Sequence, residues 1–237
     1  MRLLITRPQA DAEPFARLLR ARGHDPLLAP LLAVSLHDGP PLELNGVQAI
    51  LATSANGVRA FSARSERRDI PLFAVGPQTA ETARASGFAV IHSADGDAGA
   101  LAELVADKLD PNQGLLLHAA GAETAGRLRQ SLQTRGFTVS GVVLYVAVPA
   151  TALPPVAEKA LREERFDGVM LFSPRSAKIF AGLIEQAGLE RYCARMNAYC
   201  ISAATAEALG QFSFARVEVA GQPNQEAMLA LVSEAAA

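Results

Sequence analysis

Short apolar runs alternate along the whole chain with amphipathic stretches whose hydrophobic residues recur three and four positions apart. A strand buried on two faces reads as an unbroken apolar run, whereas a helix that covers it shows a single apolar stripe, so the alternation predicts an α/β fold with mostly parallel sheets. Candidate strands are Leu3 to Thr6, Leu27 to Val34, Val47 to Thr53, Leu72 to Val75 and Ala89 to His92 in the first half. In the second half they are Leu115 to His118, Val139 to Val148, Gly168 to Phe172, Ala198 to Ile201 and Arg216 to Val219. Between them, Phe15, Leu18 and Leu19 share a helical face ahead of Gly23, and Leu101, Leu104 and Val105 share another ahead of Pro111. Phe180, Leu183, Ile184 and Ala187 form a third face ahead of Gly188. These stripes predict core packing.

The even division of strands between the halves prompts a search for a repeat. LATSANGVRAF (Leu51 to Phe61) matches MLFSPRSAKIF (Met170 to Phe180), setting Ser54 on Ser173. FAVGPQTAETA (Phe73 to Ala83) matches YCISAATAEAL (Tyr199 to Leu209), setting Thr79 on Thr205. Weaker matches join Arg17 to Gly23 with Leu128 to Gly136, and Ala98 to Val105 with Asn224 to Val232. A duplicated unit, with a proline-rich linker at Pro149, Pro154 and Pro155, predicts two similar lobes enclosing a ligand cleft in preference to one ten-stranded sheet.

Both copies place small hydroxyl residues where a strand ends and a helix begins: Thr53 and Ser54, Thr79, Ser173 and Ser176, and Ser202 with Thr205. Helix starts present unsatisfied N–H groups and a positive dipole end, which suit anions, although each such residue is equally a plain helix cap. Arg7 follows the first strand and Arg175 lies in the matching turn of the other copy, and an arginine fork can hold a carboxylate. His118 ends LLLH at the position that answers Thr6, where packing outranks a proton role. Tyr145 sits in the apolar run VVLYVAV, so its phenol must find a partner or reach the cleft.

Composition narrows the chemistry. With half the residues hydrophobic, 19% charged and a net charge of -2, the chain suits a folded globular protein and offers no basic field for nucleic acid. Met1 to Arg7 is too short an apolar run for a secretory signal, and no run approaches the ~20 residues of a membrane span, which predicts a cytoplasmic protein. Cys193 and Cys200 lack CxxC spacing and the four histidines are scattered, so neither a disulfide nor a metal site is expected. There is no GxSxG elbow, Walker lysine or dinucleotide fingerprint.

Taken in order, LLITRP, APLLAV, ILATSANGVRAF, FAVGPQTAETARASGF, LLLHAAGAE, VVLYVAV, GVMLFSPRSA and CISAATAEAL resemble the uroporphyrinogen-III synthase family over nearly the whole chain. The resemblance implies two flavodoxin-like lobes, each a parallel five-stranded sheet flanked by helices. Residues 1–35 would pack with 149–237 and 36–148 would form the second lobe, joined by a two-strand hinge near Leu32 and Tyr145. It implies a cofactor-free cytoplasmic monomer that cyclises hydroxymethylbilane to uroporphyrinogen III, inverting the last pyrrole, and that contacts the upstream bilane-forming deaminase. Carried over by position, Tyr145 is the residue that helps the hydroxyl leave, and Arg7, Ser54, Thr79, Ser173, Ser176 and Thr205 meet the substrate's carboxylates. The sequence departs from the family where Ser202 and Ala203 replace a frequent Gly-Pro, and where Ala55 and Asn56 stand opposite Pro174 and Arg175 of the other copy. The rival readings are a non-catalytic two-lobed binder of a small anion, weakened by the missing export signal, and a nucleotide-sugar transferase, weakened by the missing phosphate motif.

Overall fold

The computed structural model describes residues 1–122 and 126–234, so Glu123, the last residue of the LLLHAAGAE segment, lies outside the described residues. The chain begins with β1 (Arg2–Ile5), α1 (Gln9–Ala21), β2 (Asp25–Leu28) and β3 (Leu32–Leu36). It continues through β4 (Val47–Ala52), α2 (Ala55–Arg64), β5 (Leu72–Ala74), α3 (Pro77–Ala85), β6 (Ile91–Ser93), α4 (Ala98–Lys108), β7 (Leu115–Gly121), α5 (Gly126–Gln133) and β8 (Val139–Pro149). The remainder is α6 (Pro155–Arg162), β9 (Gly168–Leu171), α7 (Pro174–Gln186), α8 (Glu190–Cys193), β10 (Asn197–Cys200), α9 (Ala203–Glu207), β11 (Arg216–Val219) and α10 (Gln225–Glu234). Contacts divide these elements into two compact units, Met1–Ala33 with Val148–Ala237, and Val34–Ala147.

The first unit holds a parallel five-stranded sheet in the order β11-β10-β9-β1-β2. Numbered by its own strands alone, that order is the 2-1-3-4-5 winding of flavodoxin-like folds. Successive residues of each strand face opposite layers. Leu4, Val169, Leu171 and Ala198 pack with Leu161 of α6 and with Phe180 and Ile184 of α7. Leu3, Ile5, Met170 and Tyr199 pack with Phe15 and Leu19 of α1 and with Met228 and Val232 of α10. Helices on both faces leave no solvent side to the central strands, which is why their sequences show no polar alternation.

The second unit holds a six-stranded sheet in the order β3-β8-β7-β4-β5-β6, parallel from β8 to β6. β3 is the exception. The His37 N–H donates to the Leu144 carbonyl at 2.8 Å and the Ala150 N–H to the Leu31 carbonyl at 2.9 Å, so one strand rises in number as its neighbour falls, the antiparallel arrangement. Without β3, the order β8-β7-β4-β5-β6 is the winding of the first unit entered at a different strand, β4 to β6 answering β9 to β11, and β7 and β8 answering β1 and β2. Its layers are again two: Val58 and Phe61 of α2 with Ala80 and Ala83 of α3 on one face, Leu101 and Val105 of α4 with Leu128 and Leu132 of α5 on the other.

Four sequence expectations change. The run Leu27 to Val34 is two strands belonging to different sheets, because Pro30 has no N–H to continue a ladder, and the second sheet gains a sixth strand. β7 runs past His118 to Gly121. Leu18 is exposed, since the buried stripe of α1 is Ala12, Phe15, Ala16 and Leu19 and the next position turns to its flank. β8 is buried at Val139, Leu144 and Tyr145 but exposes Val143 and Val148, as its place beside the edge strand leaves much of it uncovered. Among the described residues no helix is long and apolar enough to cross a membrane. Cys193 and Cys200 are free thiols, and burial pushes them up to about 12 and about 11.

Candidate functional site

In each unit the strand order reverses once, between β1 and β9 in the first and between β7 and β4 in the second. Helices leaving two such strands run to opposite faces, which opens a crevice beyond the carboxyl ends where ligands of open α/β sheets bind. The hydroxyl residues picked out by the repeat gather at these ends.

In the first unit, Thr6 follows β1 and donates its hydroxyl to the Met170 carbonyl of β9 at 2.8 Å, clamping the two central strands together. Arg7 comes next and is only 4% exposed. Its guanidinium carbon lies 4.4 Å from the centre of the Phe172 ring and 5.7 Å from that of Phe15, and one nitrogen donates to Gln225 Oε1 at 3.3 Å. An arginine stacked on an aromatic face and tied at one edge is a fixed cation, held at the end of β1. After β9, Ser173 caps α7, accepting from the Ser176 N–H at 3.0 Å, and its hydroxyl lies 2.8 Å from that of Ser176, which is itself buried. Ser202 caps α9 in the same way, its hydroxyl 3.0 Å from the buried Thr205 hydroxyl.

In the second unit, Ser54 caps α2, accepting from the Gly57 N–H at 3.2 Å. The Ser54 hydroxyl also lies 2.7 Å from the Tyr145 phenol oxygen, which β8 brings in across β7. The register puts Gly121 of β7 beside Tyr145, and a Cβ at Gly121 would come within 2.7 to 2.9 Å of the ring and its oxygen. Glycine there is the clearance that lets the phenol lie over β7 and reach the α2 turn. Thr79 is buried in the first turn of α3, whose cap is Gly76, so the hydroxyl partner that Thr205 finds in Ser202 is missing.

Most of the polar residues singled out by the repeat therefore sit at the carboxyl ends of their sheets. Arg7 shares its end with Ser173 and Ser176, and Tyr145 is joined to Ser54. Arg175 lies half-buried in the first turn of α7. His118 does not join them. It pairs with Leu51, while Met170, the repeat partner of Leu51, pairs with Ile5, so His118 answers Ile5 and not Thr6. It is buried inside the sheet layer, 3.3 Å through Nε2 from the Thr53 hydroxyl, and burial, with Arg129 nearby, pushes its imidazole down to about 4. Sequence reasoning missed Phe172 and Gln225 as the setting of Arg7, and missed both glycines of the Tyr145 environment. Gly57 did leave a signal: it breaks the repeat opposite Ser176, and a Cβ there would meet the Ala119 carbonyl at 2.5 Å.

Chemically, the strand ends of the first unit offer hydroxyl and amide donors with a fixed cation, which suit carboxylates, and those of the second offer a phenol held by a serine at a helix start, which suits a proton transfer.

The comparisons with known proteins agree in kind. A family model described as uroporphyrinogen-III synthase HemD matches residues 13–230. No curated protein sequence matches the chain. Among solved structures, the chain is similar to the uroporphyrinogen-III synthetase of Helicobacter pylori, at 19% identity and a TM-score of 0.65, over 99% of this chain and 100% of that one. It is also similar to a mutant uroporphyrinogen III synthase of Thermus thermophilus, at 20% identity and a TM-score of 0.58, over 100% of this chain and 98% of that one. At such identities the structural likeness carries the fold, and the family is carried by the sequence match. Because that match spans all but the ends of the chain, the chain belongs to the uroporphyrinogen-III synthase family, cyclising lyases of tetrapyrrole biosynthesis.

Proposed function

We propose that the Tyr145 phenol protonates the hydroxyl that leaves hydroxymethylbilane, and that Arg7 and the turns at Ser54, Thr79, Ser173, Ser176 and Thr205 take up the carboxylates of the same substrate. The observation that carries the assignment of Tyr145 is its 2.7 Å bond to Ser54, which holds the phenol oxygen at the start of α2, beside the strand pair where the sheet order reverses. The substrate is a chain of four pyrroles bearing acetate and propionate arms. Neutral donor turns suit it because the cyclised product keeps every carboxylate and must still leave.

The reaction begins as the C–O bond of the hydroxymethyl group breaks. The oxygen takes the bonding pair and the phenol proton and departs as water, and the pyrrole's electrons carry the resulting cation as an azafulvene. The substituted carbon of ring D then attacks to give a spiro-pyrrolenine. Fragmentation and re-closure join ring D in the inverted sense, and the proton shed from its ring carbon as that pyrrole regains aromaticity restores the phenol. Without an enzyme, closure gives the symmetrical isomer, so the protein's main contribution is to orient the chain for attack at the hindered carbon.

In this reading the enzyme works as a cytoplasmic monomer that takes its unstable substrate from the deaminase that makes it; these three points rest on the family resemblance. The test supplies freshly made hydroxymethylbilane, oxidises the product and separates the porphyrin isomers. Type III in excess over spontaneous type I is the expected result, and Tyr145→Phe should lower turnover several-fold in a folded protein. Turnover unchanged by Tyr145→Phe removes the phenol from the reaction, and type I alone would leave only a binder of anions, which family membership disfavours.

A further inference from the structure

We propose that Ser54 is a positioning residue for the Tyr145 acid: its hydroxyl donates to the phenol oxygen and stabilises the phenolate that forms when the proton is given up. This rests on the reading of Tyr145 given above and gives the Ser54 hydroxyl a task of its own, leaving the backbone amides of its turn to a carboxylate.

The donor count supports it. A serine hydroxyl has one hydrogen and two lone pairs. One lone pair of Ser54 already accepts from the Gly57 N–H at 3.2 Å, and the single hydrogen lies on an oxygen 2.7 Å from the phenol. When Tyr145 loses its proton, the phenolate can only accept, so the Ser54 hydrogen must point to it and is not available to a substrate carboxylate. The amide that donates into Ser54 belongs to the first turn of α2, where the helix dipole is positive, and a hydroxyl oxygen that accepts an N–H becomes a better donor in turn. The chain Gly57 N–H to Ser54 O–H to Tyr145 oxygen thus aims one directed set of dipoles at the atom on which negative charge develops.

The duplication supplies the contrast. In the other unit the capping serine, Ser173, has its hydroxyl 2.8 Å from that of Ser176, at the position where α2 carries Gly57. Glycine at 57 removes that competing hydroxyl, and glycine at 121 clears the space through which the phenol takes its place. Two glycines and one tyrosine convert a closed cap into a cap with an acid attached.

The experiment separates the hydroxyl from the cap. Glycine is nearly as good a capping residue as serine but has no hydroxyl, so Ser54→Gly should unfold at nearly the same denaturant concentration as the parent. With fresh hydroxymethylbilane its kcat should fall by a factor no larger than the several-fold loss of Tyr145→Phe, with KM little changed, because the hydroxyl acts only through the phenol. Ser54→Thr should restore most of the rate. In a Tyr145→Phe background, Ser54→Gly should cost no further activity, because there is no phenolate to stabilise. An equal loss with and without the phenol would overturn the proposal, as would a rise in KM with kcat unchanged, which marks a carboxylate contact. If Tyr145→Phe is slow but Ser54→Gly is fast, Ser54 has no such role and the acid assignment stands. If Tyr145→Phe is itself fast, both readings fall.

Discussion

A buried imidazole gives the acid side of the stability curve a specific shape. His118 is fully buried, and among the described residues its Nδ1 finds no hydrogen-bond partner, so it is held neutral. In the unfolded chain the ring titrates near 6.5, whereas in the fold burial and the Arg129 charge push it down to about 4. Between those values the unfolded chain binds the extra proton. The stability tied to the neutral ring is therefore complete above about pH 6.5 and declines as pH falls toward about 4, at no more than ~1.4 kcal/mol per pH unit. His24 and His92, pushed down chiefly by burial, add to the same slope. Urea titrations of the parent and of His118→Gln across this range check the point: the parent should lose stability more steeply on acidification, and parallel curves would refute it. At this scale the sequence disclosed the capping hydroxyls well, since the local patterns at Ser54, Ser173 and Ser202 suffice. It could not disclose the partner of Tyr145, which lies 91 residues away and is reached only because β7 comes between β8 and β4.

Between elements, the close approach of α2 to β7 fixes where the Ser54 turn stands. Gly57 allows it, since its missing Cβ would lie 2.5 Å from the Ala119 carbonyl oxygen. Gly57→Ala should force the first turn of α2 off the strand and lower stability by about 1 to 3 kcal/mol, the range for overpacking, in denaturant unfolding. A neutral result would mean that the helix shifts freely, and the turn geometry would then be soft. Elements were the most legible level in the sequence because burial on both faces writes each strand as an apolar run. The exceptions have physical causes. Pro30 ends a ladder inside what reads as one run, and β3 carries too few buried residues to announce a separate strand. The burial of Arg7 was hidden for another reason: the Phe172 ring that stacks on it follows a strand more than half the chain away.

For the whole molecule, the repeat could be read in the sequence, but its crossing could not, because periodicity shows that two units exist and not which pieces share a core. The crossing has a measurable consequence. Residues 34–147 are continuous and carry two complete helical layers, so expressed alone they should unfold cooperatively in urea as a single unit. The other unit should need both of its segments. The Ala150 N–H to Leu31 carbonyl bond brings those segments side by side, so a short turn joining residue 33 to residue 148 should give a folded protein. Failure of both pieces to fold would show that neither core is self-sufficient. The same arrangement constrains biosynthesis. β1 is an interior strand of its sheet and leaves the ribosome before the inserted unit, yet its neighbour β9 is translated only after that entire unit. The nascent chain must carry this apolar strand with one edge unpaired through that interval, a window of aggregation risk that rapid folding of the insert would shorten.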